Sequence, residues 1–383
     1  MLPAFAEGLD GVPDALVEAL SGLLVDHHVH GCLVGPVARP EFETLLNEGS
    51  SDPVPPYMTQ FDSQLGFAVR RWCAPLLGLE PGVPADRYWA RRAELGADEL
   101  ARLLLPAAGV DRWIVDPGYG AGVVTSAQTL AAWSGASCST VIRLESLGEE
   151  LLAAGTSPAD YPDAFRGRLA APGPVGAKSI VAYRCGFDLD WSPPSDAAVA
   201  AEIAAGRGAG RITSPLLAVF GIHAAVAAGL PVQLHVGLGD RDLDLHRVDP
   251  MLLLGLLRQP AVARVPVLLL HCYPYHRQAA CLAAVFPKVA LDLSLAVNHV
   301  GARAAAVVAE TLELTPFGSL LYGSDGIGLA ELHHLGAVLF RQALGQVLEA
   351  WVADDVLTVA DASRYARMIA GGNARRIYRL APS

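Results

Sequence analysis

Several common signatures are missing from this chain. It has no paired CxxC, no Gly-x-Gly-x-x-Gly, no Gly-x-Ser-x-Gly elbow and no internal repeat. The first absence leaves Cys32, Cys73, Cys138, Cys185, Cys272 and Cys281 scattered along 383 residues, so neither a disulfide framework nor a cysteine-rich metal site is expected. The second argues against a dinucleotide-binding sheet and the third against a serine hydrolase of the elbow type. Positive charge is scarce too. The formal net charge is -11, which argues against a general nucleic-acid or anionic-membrane binder but leaves room for a local arginine cluster facing an anionic substrate. No Lys or Arg precedes Arg39, so a secretory signal with a basic start is not supported. The longest uncharged stretch, 212–239, is divided by Gly229-Leu230-Pro231 and is followed by polar Gln233 and His235, so it is not read as a membrane span. A cytoplasmic protein is expected.

What is present is a core-forming chain, 52% hydrophobic and 17% charged. Strand-like apolar runs fall at 24–30, 112–116, 139–144, 176–182, 231–235, 265–271, 289–293 and 320–322. Helical patterns alternate with most of them, at 148–154, 196–205, 249–258, 276–285, 301–314, 330–350 and 361–369, with a short leading helix over 13–23. Ser214-Pro215 reads as the cap and first position of a helix running to about Gly229. This alternation predicts an α/β fold, a (β/α)8 TIM barrel, with residues 1–383 as one domain. A long excursion, about 32–110, interrupts it after the first strand. Its early part reads as loop around Asp52-Pro53-Val54-Pro55-Pro56, and its later part as helices at 58–77, 87–95 and 98–107. Connections of this length are more often functional caps than idle loops, and a helical cap or a homodimer interface is expected.

Potential ligands close several of these runs. In Leu24-Val25-Asp26-His27-His28-Val29-His30-Gly31, strand alternation puts His28 and His30 on one side and His27 on the other. His235, His271 and Asp325 end three later runs. In a barrel all five lie at the C-terminal rim, where active sites are built. One rim histidine has an ordinary hydrogen-bonding explanation; five candidate ligands in this order point to a metal centre.

These segments resemble the amidohydrolase superfamily: His28-x-His30, His235, His271 and Gly323-Ser324-Asp325 match its strand-end ligands. The likeness is closer to the Amidohydrolase-2 type domain that precedes a glutamine-synthetase-like domain in nodulin-type fusions. It is carried by Val25–Gly31, Ala177–Arg184, Asp249–Leu253, Tyr273-Pro274-Tyr275, Leu291–Ser294, Leu321–Asp325 and Gly372–Arg376. No synthetase-like segment follows, so action alone or with a separate glutamine-synthetase-like partner is expected. The resemblance implies a metal-dependent hydrolase, with one zinc ion favoured and manganese or another divalent ion as alternatives. His28, His30 and His235 would hold the ion and Asp325 would complete or border the site. An activated water would lose its proton to Asp325, which passes it to the leaving amine, while His271 polarises the carbonyl. Lys178 matches the lysine that is carboxylated between two metals in binuclear relatives; the alternative is an unmodified lysine paired with an acid.

Arg143, Glu145, Tyr183, Arg184, Asp240 and Tyr273 follow strand ends and are expected to contact substrate. Arg143 and Arg184 suit a carboxylate, or equally a neighbouring acid. The expected reaction is cleavage of a C–N bond in a small amide, with γ-glutamyl or related amino-acid amides as the class suggested by the synthetase association. Two alternatives remain at this point: a metal-dependent decarboxylase of a small acid, and a non-catalytic metal-bound regulatory module.

Overall fold

The computed structural model describes residues 11–50, 52–120, 122–208 and 210–381. Seven strands form one parallel sheet in chain order: β1 Leu24–Val29, β2 Val110–Val115, β3 Ser137–Arg143, β4 Gly176–Ser179, β5 Val232–Val236, β6 Val267–His271 and β7 Val289–Leu291. Every residue of β1, β4, β5, β6 and β7 is buried, so β6 and β7 read as mainly apolar runs, while β1, β4 and β5 carry buried polar residues such as Asp26, His28, Lys178, Gln233 and His235.

The sheet curls. Val25, Ile114, Val141, Leu268, Leu270, Ala290 and Leu321 share one small inner cluster, closed from below by Ala374, Ile377 and Tyr378. Residues from β1 and β7 cannot meet in one cluster unless the edges approach each other. Between those edges runs the segment expected as an eighth strand. It has one parallel bridge, Leu291 to Leu320, and otherwise no regular ladder. Its backbone is nonetheless bonded to both sides. Leu321 N–H donates to Leu291 O (3.0 Å), and His27 N–H donates to Tyr322 O (3.1 Å). Further up, Asp325 N–H donates to His28 O (3.0 Å) and His30 N–H to Gly326 O (2.9 Å). The larger core lies between the outer strand faces and the helices.

Several expected bounds shift, with identifiable causes. The fourth strand ends at Ser179 and the chain turns into a helical turn, Val181–Arg184, so Tyr183 and Arg184 sit on that turn. Leu144–Ala153 is helical directly after β3, which puts Glu145 in a first helical turn. The helix expected at 58–77 is broken into Gln60–Asp62, Gln64–Ala68, Val69–Cys73 and Ala74–Leu77. At its start, a Cβ on Gly66 would stand 2.2 Å from Gln60 O, so the chain there packs on its own backbone. Among the described residues, the helices Arg39–Asn47, Ala127–Ser134, Tyr161–Ala170, Ala296–Val300 and Asn373–Ile377 had no sequence expectation. The Ser214 cap is observed: its side chain accepts from Leu217 N–H, and the helix runs Pro215–Ala227. No helix among the described residues is long and apolar enough to cross a membrane.

Candidate metal centre

Hydrogen bonds at the strand ends settle which ring nitrogen of His28, His30 and His271 is bare. Gln233 Nε2 donates to His27 O (2.8 Å), so its Oε1 must face His28. His28 Nδ1–H therefore donates to Gln233 Oε1 (2.9 Å) and Nε2 keeps its lone pair. His30 Nδ1–H donates to Asp116 O (2.9 Å), with the same result. His271 is set from further away. Ser294 donates its single hydroxyl hydrogen to Asp292 Oδ1 (2.8 Å), so it can only accept from His271 Nδ1–H (2.8 Å). Asp292 is held ionised, below the usual carboxylate range, by His27 (2.6 Å) together with the His271 and Ser294 backbone amides; burial alone would push it up. Tyr378, beneath the sheet, reaches both arms, taking Gln233 Nε2–H (2.8 Å) and touching His27 Nδ1 (3.0 Å).

Burial lowers the basicity of His28, His30, His235 and His271, so all four are neutral imidazoles, the form that ligates metals. Asp325 Oδ1 lies 3.1 Å from His28 Nε2 and 3.6 Å from His30 Nε2, and its Oδ2 lies 3.5 Å from His271 Nδ1. Burial raises its carboxyl to about 6. The Nε2 atoms of His235 and His271 and Oδ1 of Asp325 are buried without hydrogen-bond partners. Bare imidazole nitrogens facing a carboxylate oxygen are mutually repulsive acceptors unless a cation or proton lies among them, so this donor set fits a divalent ion. His271, Cys272 and Asp325 hold positive φ values of 68°, 60° and 54°, a concentration of backbone strain at the rim.

Among the described residues, two sets of three offer ligand atoms all within 4.8 Å of one another: His28, His271 and Asp325, and His28, His30 and Asp116. His235 belongs to neither, although the sequence grouped it with His28 and His30. Asp116 is already committed to Arg143 and to Gly118 N–H, which leaves His28, His30, His271 and Asp325 as the candidate ligands. Lys178 Nζ is 3.2 Å from His28 Nε2, and burial lowers its amine to about 8.

These groups open on a cavity of ≈ 970 Å³. Tyr183, Arg184, Asp240 and Tyr273 line it, as does Arg143, whose guanidinium is bound through Nε (2.9 Å) and Nη2 (2.6 Å) to Asp116. Glu145 is the exception. Its carboxylate accepts from Ser179 Oγ (2.6 Å) and Ile180 N–H (3.1 Å), and it does not reach the cavity. The helical start after β3 turned it toward β4. The 30–109 connection contributes Asn47, Glu48, Gly49 and Gln64 to the lining, and Glu48 is bonded to His299 across it (3.0 Å). Sequence reasoning missed Gln233, Ser294 and Tyr378. The first two had a readable signal, lying two residues from His235 and Asp292 on the same strand face or its extension; Tyr378 had none.

Residues 151–380 match the family model described as Amidohydrolase, which leaves His28, His30 and Arg143 outside the matched region. Protein fluG of Emericella nidulans is 32% identical over 229 residues, covering 55% of this chain and 26% of fluG; the chain thus spans about a quarter of that relative's length. A Lactobacillus casei ATCC 334 protein described as a metal-dependent hydrolase superposes with a TM-score of 0.81 at 25% identity, covering 96% of this chain and 98% of the other. A uronate isomerase of Bacillus halodurans C-125 shares the fold, with a TM-score of 0.62 and 13% identity over 96% of each chain.

Proposed function

Because the chain belongs to the amidohydrolase family, we propose that it is a metal-dependent hydrolase cleaving the C–N bond of a small amide. The observation that carries this reading is the meeting of Asp325 with His28 and His30, whose Nδ1 atoms are engaged elsewhere and whose Nε2 atoms carry no proton, that of His28 with Lys178 Nζ beside it. One divalent ion, zinc before manganese, would be held by His28, His30 and Asp325, with His235 and His271 completing or bordering the site. Such an ion, when bound, lowers the pKa of water and polarises a carbonyl.

The chain's own groups do the rest. Asp325 Oδ1 accepts the proton of the attacking water and returns it to the departing amine nitrogen as the C–N bond breaks. His271, neutral and aimed by Ser294 through its Nδ1–H, presents a bare Nε2 as a further ligand atom or proton acceptor rather than as a donor to the substrate oxygen. Lys178, unmodified in this reading, adds positive charge beside His28. Arg143, held rigid by Asp116, Tyr183, Arg184, Asp240 and Tyr273 bind and orient the substrate. The 30–109 connection caps the rim, and 320–326 serves as the eighth strand of a closed (β/α)8 barrel, a reading supported by its hydrogen bonds to β1 and β7. An amino-acid amide, γ-glutamyl compounds included, suits a cavity that presents both arginines and aspartates. The large part of fluG outside the match is compatible with action beside a separate synthetase-like partner.

Elemental analysis of the purified protein, with a His28→Ala, His30→Ala double variant alongside, is the direct test. About one divalent ion per chain, lost in the variant, is the expected result. About two would move a carboxylated Lys178 and His271 into the ligand set. None in either protein, even after incubation with zinc or manganese, overturns the catalytic reading and leaves a binding module.

A further inference from the structure

The wall of the cavity beyond β3 and β4 carries more positive charge than its own acids neutralise. Arg143 is matched by Asp116. Glu145 is turned away and bonded to Ser179 and Ile180. That leaves Glu149 paired with Arg184, while Arg211, which lines the same cavity, has no acid paired with it among the described residues. Glu149 Oε1 is shared between Ile212 N–H (2.8 Å) and Arg184 Nη2 (3.1 Å). The Arg184 side chain is only 8% exposed, yet its Nε and Nη1 have no hydrogen-bond partner. Arg211 is exposed and makes no hydrogen bond or ion pair among the described residues. In a chain of net charge -11, a buried guanidinium left this incompletely satisfied beside a second, free one is a costly arrangement.

We propose that Arg184 and Arg211 form a subsite for a carboxylate of the substrate, separate from the amide presented to Asp325. This deepens the hydrolase reading and rests on it. The substrate class becomes amides that also carry a free carboxylate, as a γ-glutamyl amide does. Two guanidiniums against the single carboxylate of Glu149 leave one positive charge, which suits a monoanion rather than a phosphate dianion. Guanidinium forks also fit carboxylate geometry, and Arg184 is pre-positioned by the turn Val181–Arg184. Like charge adds to the argument: burial first, and then Arg211 and Arg143, hold Arg184 below its ordinary basicity, a penalty that a bound carboxylate relieves.

The test is binding of two probes to the metal-loaded protein by calorimetry: glutaramate, with one carboxylate and one amide, and the neutral diamide glutaramide. Glutaramate should bind about tenfold to hundredfold more tightly, the range expected of a charge-assisted hydrogen bond. That preference should disappear in Arg184→Gln and shrink in Arg211→Gln, with metal content unchanged. Equal binding of the two probes by the wild-type protein, or a preference that survives both variants, overturns the subsite. Inorganic phosphate displacing glutaramate at equal concentration overturns the choice of a carboxylate. If Arg184→Gln does not fold, the double variant Arg184→Gln, Glu149→Gln removes the orphaned acid as well, and Arg211→Gln at its exposed position carries the test by itself. An intact preference without turnover of either probe supports the subsite and counts against the hydrolase reading, so the two stand or fall separately.

Discussion

Asp325 meets His28, His30 and His271 in one place, and its own backbone is held in the left-handed region by the bond from its N–H to His28 O. Burial raises its carboxyl to about 6, with His30 and Lys178 pulling the other way. Below that value the group is protonated and cannot accept a proton; above it the base is available. Activity governed by Asp325 should therefore fall as pH drops through about 6, and further down the scale once a bound cation favours the carboxylate. Asp325→Asn should lose about 10² to 10⁴-fold in kcat with its circular dichroism preserved. A variant with full activity would remove Asp325 from the mechanism. At this scale the sequence was a good guide to residue types at strand ends and a poor one to orientation. Glu145 and Arg184 looked equivalent as rim residues. One proves to be bonded to β4 and the other lines the cavity, because a helix begins at Leu144 and a turn at Val181.

Among the elements, the connection between β1 and β2 is the one whose placement matters most for the cavity. It is anchored through a buried ion pair: Arg92 Nε lies 2.6 Å from Glu331 Oε1, and Tyr88 OH donates to the same oxygen (3.1 Å). Glu331 belongs to the helix Ala330–Ala353, which follows directly on the Asp325 segment. Arg92→Ala should cost about 3–5 kcal/mol in denaturant unfolding, because it leaves Glu331 buried and uncompensated, whereas Arg92→Ala with Glu331→Leu should recover much of that loss. A single-variant cost below about 1 kcal/mol would mean that the pair does not anchor the connection. The sequence showed that the connection was long and partly helical. It did not show the break-up of 58–77, which follows from Gly66 packing against Gln60 and Phe61 and from Pro75 inside the run.

For the whole molecule, the candidate ligands come from opposite ends of the chain: His28 and His30 on or just after β1, and Asp325 on the segment that joins β7 back to β1. An ion bound there ties the two sheet edges together and binds the folded state alone. Free ion at about 100 times its Kd should add about 2.7 kcal/mol of stability. Chelation should lower the melting temperature, readdition of zinc or manganese should restore it, and His28→Ala should show neither change. A wild-type melting temperature indifferent to chelator would argue against an ion at this seam.

The sequence by itself determined the run of parallel strands, the rim position of the five candidate ligands and the length of the first connection. Each of these is written locally: apolar runs, two-residue alternation and breaker residues act over a few neighbours. The tertiary structure decided which nitrogen His28, His30 and His271 leave bare. It also decided that Asp116 serves Arg143, that Glu145 turns away, and that Tyr378 reaches both the Gln233 and His27 arms from beneath the sheet. Those outcomes depend on partners 27 to 351 residues apart, brought together only when the sheet curls and its edges meet.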